Sequence, residues 1–305
     1  MQRRTVLKAL GVGTWTGAGL TLGGIGRLLQ AGEAAAGPPD LAAVKNGEPE
    51  ALFDSGIQAM GGMGRFVRKG QIVVVKPNIG WNAPPERAAN TNPRLVRRII
   101  EHCLQAGAKE VYVFDHTCDN WRDSYRTSGI EQAVKDAGGK LAPGNSEGYF
   151  QTVAVPNGRR LREAKEHELV LQADVLINVP VLKSHGGATL TVAMKNLMGV
   201  VWDRGEWHAN NLHQCIADFA SYRKPDLNVV DAYNVLMRHG PRGVSAADVA
   251  NMRSLLLSTD LVTADAAAAK LFGLEPDAVS YIGIAHEMGG GRKDLENLAI
   301  RRIVL

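Results

Sequence analysis

The chain has 305 residues, of which 45% are hydrophobic and 22% are charged, and its formal net charge is +4. No residue type or short repeat dominates, which excludes collagen-like, coiled-coil and largely disordered proteins. Three cysteines, none of them at C-x-x-C spacing, exclude a disulfide framework.

Residues 1–36 have the layout of a twin-arginine signal peptide. The pair Arg3-Arg4 precedes a weakly apolar stretch over residues 9–26, and the small residues 34–36 follow. This order is typical of an export signal with a cleavage site. Because seven of residues 9–26 are glycine, a stable membrane span is not expected, and retention as an N-terminal anchor is the alternative. We expect a periplasmic or otherwise exported protein that uses the twin-arginine export machinery.

The positive charge lies largely in that signal. Residues 1–36 hold four of the 35 basic residues and one of the 31 acidic residues, which leaves a net charge of +1 for the remainder. A nearly neutral chain has no polybasic surface for nucleic acid or lipid. We therefore expect no nucleic-acid partner.

Residues 37–50 contain three prolines and are predicted to form a mobile lead-in to a single α/β domain over residues 51–305. Apolar runs predict strands and amphipathic stretches predict helices. The predicted strands cover residues 71–76, 111–114, 151–155, 174–179, 227–230, 254–257 and 299–304. The predicted helices cover residues 93–106, 128–137, 188–198, 211–222, 261–272 and 277–288. This alternation predicts a doubly wound, mostly parallel sheet with helices on both faces.

Four long irregular stretches separate these elements, and loops of that length tend to build functional sites. They cover residues 77–91, 115–127, 199–210 and 233–250.

Polar side chains follow several predicted strands at the point where each strand ends. In parallel sheets these ends meet at one edge, where ligands bind. Two lysines from different strands favour an anionic ligand, a carboxylate or a phosphate, and Gly186-Gly187 would let main-chain N–H groups approach it. The residues that follow the strands and are predicted to form a binding site are Lys76, Asn78, His116, Lys183, His185 and Asp231.

Three further polar residues lie within predicted helices. Lys195 and Asn196 either face solvent or reach toward the same site. Asp265 shares a helical face with apolar residues, and a buried carboxylate requires a partner. It therefore makes either a structural ion pair or a contact in the site.

His208 and His213 lie in a loop region with Asp203 and Glu206, and these side chains are of the types that bind zinc, iron or nickel. Their spacing matches no strong metal-binding motif. The alternative is that they cap and hydrogen-bond a long loop.

The thiols are predicted to differ in exposure. Cys103 and Cys215 lie at packing positions of predicted helices, whereas Cys118 lies in a polar loop and is expected to be exposed.

Several stretches resemble the family designated domain of unknown function 362. They are Val74–Asn78, Pro180–His185, Thr191–Gly199, Pro225–Asp231, Gly240–Gly243 and Ala264–Gly273. Many relatives carry an added four-cysteine iron–sulfur module. This chain has no such run of cysteines, so the resemblance implies no iron–sulfur cluster of its own.

The family is also distantly similar to the N-terminal domain of nickel-dependent lactate racemase, which would make Lys76, Lys183, His185 and Lys195 ligand-binding positions. The resemblance implies that the site consists of Lys76, Asn78, Lys183, His185, Lys195, Asn196, Asp231 and Asp265.

Two classes of function fit these observations. The first is an exported enzyme that acts on a small anionic metabolite, with or without a metal or redox cofactor. In it His185 or Asp231 would be the acid or base, and Lys76 and Lys183 would stabilise developing negative charge. The second is a non-catalytic carrier of a ligand or metallocofactor beside an exported redox partner protein. Perturbed pKa values of lysine or histidine would favour the enzyme, and a large exposed apolar patch would favour the carrier.

Overall fold

The computed structural model describes residues 37–305. The predicted signal peptide, residues 1–36, lies outside the described residues. Within residues 37–305, no helix combines the length and the hydropathy needed to cross a membrane.

The strands of this part of the chain are numbered β1 to β12 in chain order. They are β1 (Leu41–Lys45), β2 (Ile72–Pro77), β3 (Glu110–Val113), β4 (Lys140–Leu141), β5 (Phe150–Ala154), β6 (Glu163–His167), β7 (Val175–Val179), β8 (Val181–His185), β9 (Thr189–Thr191), β10 (Leu227–Leu236), β11 (Val249–Ser258) and β12 (Ile300–Val304).

The α-helices are numbered in the same way. They are α1 (Pro49–Ala59), α2 (Pro93–Gln105), α3 (Trp121–Thr127), α4 (Ile130–Asp136), α5 (Glu168–Gln172), α6 (Ala193–Asn196), α7 (Arg204–Ala209), α8 (Leu212–Tyr222), α9 (Leu261–Phe272) and α10 (Ser280–Glu287). Short 3₁₀ turns join several of them, and one of these turns, Leu197–Val200, continues α6 directly.

The strands form one large, mostly parallel sheet in the order β12-β1-β11-β10-β7-β2-β3-β4. Only β11 runs against its neighbours along this path. β8 pairs with β10 and forms a hairpin with β9, and β5 and β6 form a separate two-stranded sheet. The prediction of an α/β fold with a mostly parallel sheet is confirmed.

Both faces of the sheet are buried because successive strand residues point to opposite sides. In β2, Val74 packs into one core, whereas Val73 and Val75 pack into the other. Helices α1, α2 and α4 cover the second face, and helices α6 to α10 cover the first. The helices therefore lie on both faces, as predicted.

The prediction of a mobile lead-in over residues 37–50 is wrong for its central part. Leu41–Lys45 form β1, which lies between β11 and β12, and Leu41–Val44 are fully buried. The reason is that alternate side chains of β1 pack into each of the two cores. The α/β unit therefore begins before residue 51.

Other boundaries also differ from the predictions. Residues 189–191 form β9 rather than the start of a helix. The chain reverses direction at Gly186-Gly187 after β8, and β9 pairs with β8 in an antiparallel hairpin. The strand at 150–154 belongs to the separate hairpin. β10 and β11 extend into the predicted loop at residues 233–250 as a long antiparallel pair.

Candidate functional site

A cavity of about 370 Å³ opens at the carboxyl ends of the parallel strands, where ligands bind in such sheets. Side chains reach it from β2, from β8 and from helices α6 and α7. We call it the lysine cavity. Its charged lining residues are Lys76, Lys183, Lys195, Arg204 and Asp115.

Lys76 is buried at the base of the cavity, and its ammonium group has three oxygen partners. Its Nζ donates to the carbonyl oxygen of Asn196 at 2.6 Å and to Asn196 Oδ1 at 3.0 Å. It also lies 3.0 Å from Asp115 Oδ1. Burial lowers the pKa of Lys76, and Asp115 opposes that change. Two donated hydrogen bonds and one ion pair therefore fix the position of Lys76 Nζ at the base of the cavity.

A row of four asparagine side chains leads away from the cavity, and we call it the amide chain. Asn78 Nδ2 donates to Asn196 Oδ1 at 2.9 Å, and Asn196 Nδ2 donates to Asn178 Oδ1 at 2.9 Å. Asn178 Nδ2 then donates to Asn228 Oδ1 at 2.9 Å, and Asn228 Nδ2 donates to the Ser258 carbonyl at 3.3 Å. These bonds join β2, α6, β7, β10 and β11 in one buried network, which fixes the side chains that it contains.

Lys183 is buried, and in the described part of the chain no carboxylate lies within ion-pair distance of its Nζ. Its Nζ donates to Asn78 Oδ1 at 3.0 Å and to the Ala89 carbonyl at 2.5 Å. Burial lowers its pKa to about 7. The amine therefore changes its charge near neutral pH, in a cavity that it lines.

Lys195 has weaker contacts than the other two lysines. It is 9% exposed, and its Nζ contacts only Met198 Sδ, at 3.5 Å. Burial lowers its pKa to about 8. A thioether is a poor acceptor, so a positive charge on Lys195 has no oxygen partner among residues 37–305.

His185 is held in one tautomer. Its Nδ1 accepts the N–H groups of Gly187 at 3.0 Å and Ala188 at 3.1 Å. Burial, with Lys195 and Lys183 adding to it, lowers its pKa to about 3. The ring is therefore neutral and carries its proton on Nε2, which leaves one N–H donor free.

Thr191 lines the cavity, and its hydroxyl has no hydrogen-bond partner among the described residues. The residue is 4% exposed, and its Oγ1 is buried without a hydrogen-bond partner. An unsatisfied buried hydroxyl is costly, and this one would have to rotate toward the cavity to reach a ligand there.

Two further residues complete the rim. Arg204 donates through both terminal nitrogens to the carbonyls of His116 and Thr117, and this holds α7 against the loop after β3. Cys118 of the same loop is exposed and lines the cavity, whereas Cys103 and Cys215 are buried. The predicted exposure of the three thiols is confirmed.

Seven of the predicted site residues lie at the cavity, which are Lys76, Asn78, Lys183, His185, Lys195, Asn196 and His208. The His208 ring lies nearly parallel to that of His185, with 6.4 Å between the ring centroids.

Asp231 does not line the cavity. Its Oδ2 accepts the Asn92 N–H at 2.7 Å, and its Oδ1 accepts the Tyr233 N–H at 3.1 Å. The carboxylate therefore anchors the start of α2, and both of its oxygens are engaged in that task.

Asp265 does not line the cavity either. Its two oxygens accept the N–H groups of Ala193 at 2.6 Å and Met194 at 3.1 Å. Burial raises its pKa to about 8, and these two N–H groups oppose that change. Its partner is the first turn of α6, so Asp265 positions Lys195 and Asn196 from behind.

His116 and His213 also point elsewhere. The His116 ring stacks on Trp202 with 4.8 Å between centroids, and its Nδ1 donates to the Val201 carbonyl at 2.9 Å. His213 lies beside Tyr281. Within residues 37–305, no group of three or more histidine, cysteine, aspartate or glutamate side chains is arranged to hold a metal ion.

The sequence reasoning missed Asp115, Thr191 and Arg204. Asp115 directly follows the predicted strand at residues 111–114, so its signal was present in the sequence although it was not among the predicted site residues. The other two residues carried no signal, because Thr191 fell inside a predicted helix and Arg204 inside a predicted loop.

Comparisons with known proteins agree with the motifs quoted above. The model of the family described as domain of unknown function (DUF362) matches residues 73–270. A thylakoid-associated protein from Synechocystis sp. is 28% identical over 249 residues, which cover 76% of this chain and 73% of that protein.

A solved structure is also similar in part, the lactate racemase apoprotein from Thermoanaerobacterium thermosaccharolyticum. It aligns with a TM-score of 0.45 and 13% identity over 72% of this chain, and the chain spans only 54% of that protein. The family match covers well over half of the sequence, and the chain therefore belongs to the DUF362 family.

Proposed function

We propose that this protein is an exported enzyme that binds a small anionic metabolite, a carboxylate or a phosphate, in the lysine cavity. The observation that carries the proposal is the charge of the lining, which contains four basic side chains and one acidic side chain. Asp115 is paired with Lys76, so the described lining holds no carboxylate that balances Lys183 and Lys195. An anionic ligand would supply that negative charge.

The hydrogen bonds of Lys183 support a role as acid and base. A neutral amine has two N–H bonds and a lone pair, and Lys183 has two oxygen acceptors. It can therefore lose or gain one proton without breaking either bond. A pKa of about 7 makes both forms available at neutral pH, as general acid–base catalysis requires.

Lys195 and His185 support charge stabilisation next to Lys183. The neutral His185 ring offers its Nε2–H, and Lys195 offers a cation with no oxygen partner. Fixed donors in a buried site stabilise negative charge that develops during a reaction more strongly than water does. In this proposal both groups hold the anion while Lys183 moves the proton.

These properties favour the enzyme over the non-catalytic carrier. Two lysines and one histidine of the cavity have strongly lowered pKa values, which is typical of catalytic sites. Among the described residues, the large apolar side chains that are exposed are Leu171, Val244, Val304 and Leu305, which do not amount to a broad docking patch.

Calorimetric titration with inorganic phosphate and with malonate tests anion binding. We expect Lys195→Met to raise Kd by about tenfold to hundredfold, because a hydrogen bond to a charged group contributes about 1.5–3 kcal/mol. Lys109→Met is the matched control, since Lys109 is exposed and lies outside the cavity. Equal Kd values for wild type and Lys195→Met would contradict the proposal.

Export through the twin-arginine pathway is proposed from the sequence of residues 1–36. Replacing Arg3 and Arg4 together by lysine should retain the protein in the cytoplasm, because the pathway recognises the arginine pair. Cell fractionation measures the outcome, and Arg27→Lys is the control. Normal export of the double variant would remove this part of the proposal.

A further inference from the structure

The three lysines of the lysine cavity differ in how many oxygen atoms hold their nitrogens. Lys76 has three such contacts and Lys183 has two. Among residues 37–305, Lys195 has none, although it is buried, and the hydrogen-bond contact of its Nζ is with the Met198 sulfur at 3.5 Å. Lys195 is therefore the amine whose nitrogen is free to make a new bond.

The surroundings of Lys195 lower its pKa to about 8, so that near neutral pH the charged form, which holds an anion, is in equilibrium with a neutral fraction of the amine. The cavity contains no carboxylate other than Asp115, and Asp115 is paired with Lys76. Burial lowers the pKa of Lys195, Arg204 and Lys76 lower it further, and Cys118 opposes them. A desolvated amine among other cations is a good nucleophile, because its lone pair is available near neutral pH.

The amine is also held in a fixed direction. Asp265 binds the first turn of α6 through two N–H groups, and Asn196, the next residue after Lys195, is bound within the amide chain. The side chain of Lys195 therefore extends from a rigid base into the cavity. Rigid placement of a nucleophile lowers the entropy cost of its reaction.

The groups around Lys195 are suited to a carbonyl compound that also carries a carboxylate. The Nε2–H of His185 can donate a hydrogen bond to an oxygen atom of a ligand in the cavity. The guanidinium of Arg204 adds positive charge at the rim. A small 2-oxo acid contains both of the groups that these donors would bind.

We propose that Lys195 is a nucleophilic amine that forms a Schiff base with the carbonyl carbon of a small 2-oxo acid; this rests on the proposed anion-binding function of the same cavity. The neutral amine attacks the carbonyl carbon and a C–N bond forms as the C=O π bond breaks; the carbonyl oxygen takes up one proton and the nitrogen loses one, which gives a carbinolamine. Loss of that hydroxyl as water, with loss of a proton from nitrogen, gives the imine. No oxidant or reductant takes part, and Lys183, which lines the same cavity, would give and take the proton.

Reductive trapping tests this step. The full chain is incubated with glyoxylate and cyanoborohydride, and the modified lysines are located by peptide mass spectrometry. We expect Lys195 to be modified about tenfold or more faster than any exposed lysine, because the neutral amine is the reactive form. Lys195→Arg should lose this labelling, whereas Lys109→Arg should retain it.

Competition by sulfate gives a second measurement that needs no variant. An excess of sulfate should slow the labelling of Lys195 and leave the labelling of exposed lysines unchanged. Trapping at Lys183, or labelling spread evenly over the exposed lysines, would overturn the proposal.

The failure of this inference can be told apart from the failure of the proposed function. If the wild-type chain binds phosphate but Lys195 is not labelled, the Schiff base is wrong and anion binding stands. If neither phosphate binding nor labelling occurs, both are wrong.

Discussion

The main chain at Gly199 lies directly against the buried ion pair of Lys76 and Asp115. A Cβ atom there would overlap Asp115 Oδ1 and lie 2.5 Å from Lys76 Nζ. We expect Gly199→Ala to separate the pair and to lower the free energy of unfolding by about 3–5 kcal/mol, the usual cost of leaving a buried charge uncompensated. Urea denaturation measures this change.

The control for this substitution is a glycine of the same cavity. A Cβ atom at Gly186 would meet no atom within 4 Å, so Gly186→Ala should unfold at nearly the wild-type urea concentration. Equal stability of the two variants would show that the ion pair can move aside.

Thr191→Val removes the unpartnered hydroxyl while keeping the shape of the side chain. Without ligand, we expect the variant to be as stable as the wild type or more stable, since a buried hydroxyl with no partner is unfavourable. With phosphate or malonate, we expect weaker binding, because the ligand loses a donor. Thermal unfolding with and without the anion measures both effects. Unchanged binding would mean that the hydroxyl does not face the ligand.

Among the elements, α6 is only one turn long and depends on α9 for its first hydrogen bonds. Short helices are marginal on their own, and Asp265 of α9 accepts the two N–H groups at the start of α6. The direction of Lys195 therefore depends on a carboxylate that never touches the ligand.

We expect Asp265→Ala to destabilise the protein by about 1–3 kcal/mol for each N–H group that it leaves unpaired, and to weaken sulfate binding through the displaced α6. Asp265→Asn keeps one oxygen acceptor, so it should lose less stability and less sulfate affinity than Asp265→Ala. Urea denaturation measures the stability of the two variants, and calorimetric titration measures their sulfate affinity. Full sulfate affinity in Asp265→Ala would show that α6 holds its position without the cap.

At the scale of the whole molecule, the increase in Tm that a bound anion causes should depend on pH. A ligand that binds only the folded state raises Tm. The positive charge of Lys183 and Lys195 is lost as the pH rises through their pKa values, about 7 and about 8. Sulfate keeps its own charge over this range. It should therefore raise Tm more at about pH 6.5 than at about pH 9.

Thermal unfolding in matched concentrations of sulfate and chloride checks this pH dependence. Lys195→Met should show a smaller increase in Tm at the lower pH. An increase that is equal at both pH values, or larger at the higher one, would place the bound sulfate elsewhere on the surface.

The parts of the fold that could be predicted are those that a short stretch of sequence determines. The apolar run that ends at Lys76 forms a strand whatever its neighbours are, and α9 was predicted with its observed bounds. β1 was missed because its burial depends on pairing with β11 and β12, more than 200 residues away in sequence. β9 was missed because the turn at Gly186-Gly187 reverses the chain before a helix can begin.

The candidate site, like the fold, could be predicted only in part from the sequence. The rule that strand ends meet at one edge brings Lys76 and Lys183 to one place. It does not give the direction of a side chain, and so Asp231 and Asp265 were expected in the cavity but bind main-chain N–H groups instead. The free nitrogen of Lys195 could not be predicted, because it depends on which acceptors are absent around it.

The hydrogen bonds of the amide chain all run in one direction, from an N–H donor nearer the cavity to an oxygen acceptor farther from it. The amide chain ends at the Ser258 carbonyl, which can only accept, so each asparagine along it has one possible orientation. A rotated amide would bring N–H against N–H at the next link. The oxygen of Asn78 is consequently always turned to Lys183. The register that places Asn228 of β10 opposite Ser258 of β11 therefore determines, through the four asparagine side chains, that Lys183 Nζ meets an amide oxygen and not an amide N–H.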